Sequence, residues 1–317
     1  MPAGGGAWRG QRRAGLAIWL AIVLGSSAGA GLADEPADAC AVGPDVTRAV
    51  VAVRDGDTVE LDDRTVVRLA GIVAPYPPEG GEAQDWPPAL QARELLAELV
   101  LGRSAGIAYV AGQPDRYGRR LADLVIGDEG AKRSLATVLV EAGHARVDPM
   151  RGWQDAPARR ACLVHLIVLE AQARKAGRGL WRHAAYQIRP AARSRELARF
   201  EQRFEIVEGV IREISTRGRR IYLNFGQNWR TDFTVSISAR DRKAIERSGL
   251  DLAGLKRRRI RVRGFVESRN GPLIRVMVPE QIEVLEAATT PAGKAAGSAT
   301  RPGGGGEGET TPKERAP

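Results

Sequence analysis

From Asp45 to Leu69 the apolar positions fall in short β-branched runs separated by turn residues, the pattern of strands rather than helices. Val50, Val51 and Val53 lead. Thr58-Val59-Glu60-Leu61 and Thr65-Val66-Val67-Arg68-Leu69 follow, with Asp62-Asp63 between them as a two-residue hairpin loop. A loop rich in Pro and Gly covers Pro75 to Pro88. The spacing of Leu90, Leu95, Leu96, Leu99 and Val100 then predicts a helix closed by Gly102. Strands are expected over 105–110 and 121–126, around a turn at Asp115–Gly118. Helices follow over 134–142 and 158–176, stopped by Gly143 and by Gly177 and Gly179, and Leu180-Trp181 packs after the second.

A basic stretch, 184–202, reads as a helical connector. A second β-rich unit, 203–286, offers strands over 204–214, 220–225, 232–237, 259–266 and 273–278, with a helix over 239–248 after the third. Five strands with a helix after the third is the order of an OB-type barrel. The tail, 287–317, is Ala, Gly, Thr, Pro and scattered charge; such a composition buries no core. The expected class is α+β, with a five-stranded barrel and three helices followed by a second OB-like barrel.

Apolar residues at 43% and charged residues at 27% of 317 exclude wholesale disorder. The net charge of +10 favours anionic partners, nucleic acid first and an anionic membrane surface second. Arg9, Arg12 and Arg13 precede an apolar run from Ala14 to Gly25 and small residues at Ala28-Gly29-Ala30 or Gly31-Leu32-Ala33. That order predicts a signal peptide over 1–33, its apolar run too short to span a bilayer, and a mature protein that is periplasmic or secreted. Cys40 and Cys162 are the two cysteines. In an oxidising compartment they can join, closing a long loop worth ~4–5 kcal/mol, or they remain two separate thiols.

Three short stretches hold the candidate chemistry: Asp55-Gly56-Asp57-Thr58, Arg68-Leu69-Ala70-Gly71-Ile72-Val73-Ala74-Pro75, and Asp115-Arg116-Tyr117-Gly118-Arg119. With a two-residue loop at Asp62-Asp63, Leu61 faces Arg64 and Asp57 faces Arg68, their Cβ atoms about 5 Å apart. That pair by itself is also what a cross-strand salt bridge needs. A further guanidinium, Arg119, completes a fork that binds phosphate oxygens bidentately.

In this order, with the helix ending in Gly179-Leu180-Trp181, these stretches resemble the staphylococcal nuclease (thermonuclease) family over roughly 46–182. The resemblance implies phosphodiester hydrolysis of DNA or RNA. It implies that Arg68 and Arg119 stabilise charge at phosphorus and that Asp57, with Asp55 nearby, helps hold calcium. The sequence also departs from the family. Val73 stands where a second metal-binding aspartate is expected and Tyr76 where the family has the catalytic glutamate, although the Ala74 carbonyl remains available. Valine offers no side-chain oxygen and tyrosine is a poor base at neutral pH. Glu79, Glu82 and Asp85 follow in the loop and either swing a carboxylate in or stay solvated. His144, His165 and His183 have no metal spacing, and Glu170 reads as a helix ion pair with Arg174.

The second unit carries 18 Lys or Arg against 11 Asp or Glu, interleaved with Tyr222, Phe225, Trp229 and Phe233. Aromatic platforms beside basic grooves are how OB folds hold single strands, and barrel cores also consume aromatics. Tyr117, Trp229, Arg219, Arg220 and Arg230 are the candidate nucleic-acid contacts. Three readings follow: a secreted nuclease with a weakened site, a non-catalytic nucleic-acid-binding envelope protein, and a scaffold whose basic faces meet acidic polymers or lipid.

Overall fold

The computed structural model describes residues 38–78, 80–82, 85–110, 113–127, 132–151 and 157–285. The leader, Glu79 and the tail lie outside the described residues. The first barrel is built from β1 (Val46–Asp55), β2 (Thr58–Leu61) and β3 (Val66–Leu69), then the short β4 (Ile72–Val73) and helix α1 (Pro87–Val100). It continues through β5 (Ser104–Tyr109), β6 (Arg120–Ile126), β7 (Arg133–Ser134), α2 (Leu135–Glu141), β8 (Arg146–Val147) and α3 (Pro157–Lys175). The sheet runs β3-β2-β1-β5-β6-β7, and a parallel pairing of β3 with β6 closes it. Val50, Val59, Leu61, Val67, Ile107 and Leu124 fill the interior together with Leu96 of α1 and Leu139 of α2.

Cys40 and Cys162 are joined as a disulfide, tying the lead-in to α3. The lead-in is held a second time by Asp38, whose carboxylate accepts from the Ser134 amide (2.8 Å) and the Thr137 hydroxyl (2.9 Å) at the start of α2.

The hairpin differs from expectation by one residue. Leu61 accepts from the Arg64 amide and donates to the Thr65 carbonyl, so the loop has three residues, with Arg64 at φ 66°. Thr58 therefore opposes Arg68, and the carbonyl of Asp57 accepts from the Leu69 amide. Asp62 and Asp63 sit opposite Arg48, whose guanidinium lies 3.9 and 3.6 Å from their carboxylates.

The segment expected as a helical connector contains two-residue β9 (Arg189–Pro190), one-turn α4 (Ser194–Leu197) and short 3-10 turns, because its backbone pairs with the second sheet. That sheet comprises β10 (Phe204–Val210), β11 (Glu213–Arg217), β12 (Arg220–Asn224), β13 (Thr234–Ser238), β14 (Arg259–Ser268), β15 (Pro272–Val276) and β16 (Ile282–Val284), with α5 (Ala239–Arg247) after β13. The single strand expected over 204–214 is broken at Ile211-Arg212. Ile211 and Arg212 donate instead to the carbonyls of Arg258 and Asn224. The order β11-β12-β13-β15-β14-β10-β9 carries the two halves of this broken strand to opposite sides of the curled sheet, β11 at one margin and β10 next to the short β9 at the other.

All described residues fall in one contact unit, Ala37–Pro317. An apolar cluster of Val73, Ala173, Leu180, Trp181, Tyr186, Phe204 and Ile206 joins the first barrel to β10. Beside it Arg263 of β14 is fully buried, donates to Glu170 of α3 at 2.7 Å and also pairs with Glu283. Glu170 thus ties α3 to β14 first, with Arg174 a more distant partner at 3.7 Å. Its other oxygen accepts from the Val147 amide at 2.8 Å. No helix among the described residues is long and apolar enough to cross a membrane.

Candidate functional site

The turn between β1 and β2 delivers Asp57 to the centre of the site. Gly56 permits it: a Cβ there would lie 2.7 Å from the Ala92 Cβ of α1 and 2.8 Å from the Ala74 Cβ. Asp57 is fully buried, and its carboxylate accepts five hydrogen bonds. Oδ1 takes Arg68 Nε (3.1 Å), the Tyr76 hydroxyl (2.7 Å) and the Thr58 hydroxyl (3.1 Å). Oδ2 takes Arg151 Nη1 (2.6 Å) and the Ala74 amide (3.0 Å). Arg68 also donates to the Tyr76 hydroxyl oxygen.

Burial alone would raise the pKa of Asp57. The guanidiniums of Arg151 and Arg68, the Tyr76 hydroxyl and the Ala74 amide outweigh it and hold the carboxyl well below the usual carboxylate range. Asp55 behaves in the opposite way. Burial first, and then the charge of Asp57, push it up to about 6, although it accepts from the Asp57 amide at 2.9 Å. Burial and the charges of Asp57 and Asp55 raise the Tyr76 phenol far above neutrality, so it donates and does not serve as a base.

Arg151 is the functional residue that sequence reasoning missed. It follows β8 in a turn locked onto Gly71: the Gly71 amide donates to the Arg151 carbonyl (2.8 Å), and the Asp148 amide donates to the Gly71 carbonyl (2.9 Å). Gly71 takes φ 75°, which suits glycine there. The residue lies 94 positions from Asp57 and outside every quoted motif, so no local spacing could have pointed to it.

Residues 66–183 match the family model described as Staphylococcal nuclease homologue. Over those residues the chain is similar to the staphylococcal nuclease homologues. No curated protein matches the chain.

Family members are typically calcium-dependent, and the residues present here do not fit that ion. Calcium takes six to eight oxygen ligands. The oxygens of Asp57 are occupied by donors, two of them guanidiniums within 3.1 Å. Val73 is 4% exposed and packs in the apolar interdomain cluster, with Arg146 as its strand partner. Glu82 and Asp85 are exposed. Among the described residues no group of three His, Cys, Asp or Glu side chains could hold a metal ion.

Arg119 is not brought to Asp57. It donates from Nε to Asp115 at 2.9 Å, and its guanidinium stands 5.0 Å from the Tyr117 ring, which Arg116 also approaches at 4.8 Å. The turn that holds these residues is tight, with Asp115 also accepting from the amides of Tyr117 and Arg119. Tyr117 is 65% exposed. The two guanidiniums that hold Asp57 are those of Arg68 and Arg151, and the Arg119 side chain pairs with Asp115 of its own loop. His183 packs edge-on against Trp86, centroids 4.6 Å apart, and caps the turn that follows it.

On the second sheet a cavity of about 330 Å³ opens over the outer face of β11, β12 and β13. Glu213, Ser215 and Arg217 line it from β11, Tyr222 and Asn224 from β12, and Thr234 from β13. Trp229, Arg269 and Asn270 arrive from the flanking loops. Arg217 and Arg230 lie 4.3 and 4.8 Å from the Trp229 ring centroid. Arg219 is exposed and Arg220 half-buried, and neither lines the cavity. Of the other aromatics, Phe233 is fully buried and meets Phe225 at 5.0 Å, so both serve the barrel core.

Proposed function

We propose that the chain is an exported nucleic-acid-binding protein whose nuclease-type barrel has given up calcium-dependent hydrolysis and whose second, OB-like sheet binds the nucleic acid. The observation that carries this reading is the state of Asp57. Its carboxylate is engaged by Arg68, Arg151, Tyr76, Thr58 and the Ala74 amide, leaving no free oxygen lone pair for an ion and no base for water. The same carboxylate neutralises part of the charge of the two arginines, so the first barrel holds phosphate only weakly. The strand order of the second sheet and its Trp- and Arg-lined cavity support binding there. The basic and apolar pattern of the first 33 residues supports export.

The test is digestion of single- and double-stranded DNA and RNA by the purified protein, with calcium or with chelator, beside a salt series of binding measurements. The expected result is no calcium-dependent cleavage together with binding that weakens steeply as salt rises. The double variant V73D/Y76E should not gain cleavage, because Arg151 still holds Asp57 and position 73 still faces apolar neighbours. Brisk, chelator-sensitive cleavage by the unaltered protein overturns the proposal.

A further inference from the structure

We infer that the cavity on the second sheet is a base-binding pocket for single-stranded nucleic acid, in which one unstacked base lies against the Trp229–Arg217 layer while Arg269 meets the adjoining phosphate. This rests on the nucleic-acid reading above and goes further, by naming the form of the nucleic acid and the residues that take it.

The pocket is held in shape by its loops. The loop after β12 folds on Asp232, whose Oδ2 accepts from the Asn228 amide at 2.8 Å while its own amide donates to the Asn228 carbonyl at 2.9 Å. The turn between β14 and β15 abuts that loop: a Cβ on Gly271 would lie 2.8 Å from the Thr231 backbone. Asn270 beside it takes φ 54°. Trp229 on one loop and Arg269 and Asn270 on the other therefore face the cavity across a packed loop-to-loop contact rather than from free ends.

The chemistry of the lining suits a base and its phosphate. Trp229, 37% exposed, carries Arg217 at 4.3 Å; aromatic rings and guanidinium planes are the two surfaces on which bases stack. The floor is polar: the Asn224 amide nitrogen donates to Ser215 at 3.2 Å, leaving its carbonyl oxygen for a base edge, and Tyr222 stands beside it. The volume, about 330 Å³, is at the small end of ligand pockets and suits one base rather than a duplex. A paired base keeps its faces stacked and its edge occupied, so duplex is excluded.

The experiment measures binding of fluorescent single-stranded oligonucleotides and of the matching duplex to the full chain by anisotropy, for the unaltered protein and for W229A, W229F and R269A. Trp229 is exposed, and circular dichroism of each variant checks the fold. The expected result is a preference for the single strand, affinity roughly 5- to 150-fold weaker in W229A, and partial retention in W229F. R269A should lower the salt slope by about one. Nucleic acid bound equally by W229A and the unaltered protein, or bound equally as duplex, overturns this inference and leaves the broader reading standing. A polyphosphate that competes as well as the oligonucleotide, charge for charge, also overturns it. No binding of any nucleic acid at low salt overturns both.

Discussion

Replacing Asp57 by Asn separates a structural carboxylate from a metal ligand, because the two roles predict opposite signs. Carboxylates grouped to hold calcium repel one another without the ion, so removing one leaves the metal-free protein unchanged or stabilised. Here the buried Asp57 carboxylate sits between Arg68 and Arg151 at 3.1 and 2.6 Å. Asn keeps the volume, so no cavity forms. It also turns a donor toward the guanidiniums, leaving Arg68 without its counter-charge and Arg151 with Asp148 alone, 3.7 Å away. Breaking a buried ion pair from one side costs ~3–5 kcal/mol. With an m-value near 3 kcal/mol/M, that is a urea midpoint lower by roughly 1–2 M. The assay is urea unfolding followed by circular dichroism, in calcium and in chelator, for the unaltered protein and D57N. The expected loss is the same in both buffers. A D57N unfolding free energy within about 1 kcal/mol of that of the unaltered protein in chelator would refute the reasoning. So would a calcium-dependent stabilisation that D57N abolishes.

Three more outcomes are expected. The pKa of Asp55, about 6 in the folded chain, lies above its unfolded value, so the folded state binds the extra proton and stability falls as pH rises from about 4 to about 6, by at most ~3 kcal/mol. Asp57, held low, acts in the opposite sense and loses its contribution as pH falls below about 4. Stability measured across pH should show the first slope in the unaltered protein and not in D55N; equal slopes contradict the assignment. Arg263→Met should cost ~3–5 kcal/mol, since it strands Glu170 without its 2.7 Å partner, while replacing Arg263, Glu170 and Glu283 together by apolar residues should recover most of that loss. Urea unfolding of the single and triple variants checks both. C40A/C162A should lower stability by ~4–5 kcal/mol by freeing a loop spanning 122 positions, read as a midpoint that no longer responds to reductant.

Much of the architecture is legible in local pattern. Strand and helix periodicities mark most elements of the first barrel and of the second sheet, because burial on one face imposes a period that the chain carries openly. The quoted motifs place Asp57 and Arg68 near each other, and they meet even though the hairpin register differs by one residue. A positive φ at Arg64 absorbs the extra loop residue, and nothing in Asp62-Asp63-Arg64 announces it. That positions 73 and 76 offer no carboxylate is visible in the sequence. What surrounds Asp57 instead is visible only in three dimensions.

The sequence alone determined that a nuclease-like barrel is present, that positions 73 and 76 carry Val and Tyr rather than carboxylates, and that a second basic β unit follows. Those statements need only residue identity and short-range spacing. Tertiary structure decided which guanidinium reaches Asp57, that Arg119 turns back to Asp115, and that Val73 packs with Trp181 and Phe204 instead of facing an ion. It also decided that Glu170 spends its charge on Arg263. Each of these is a contact between residues far apart in the chain. Its energy depends on burial and distance after folding, which no local window of sequence contains.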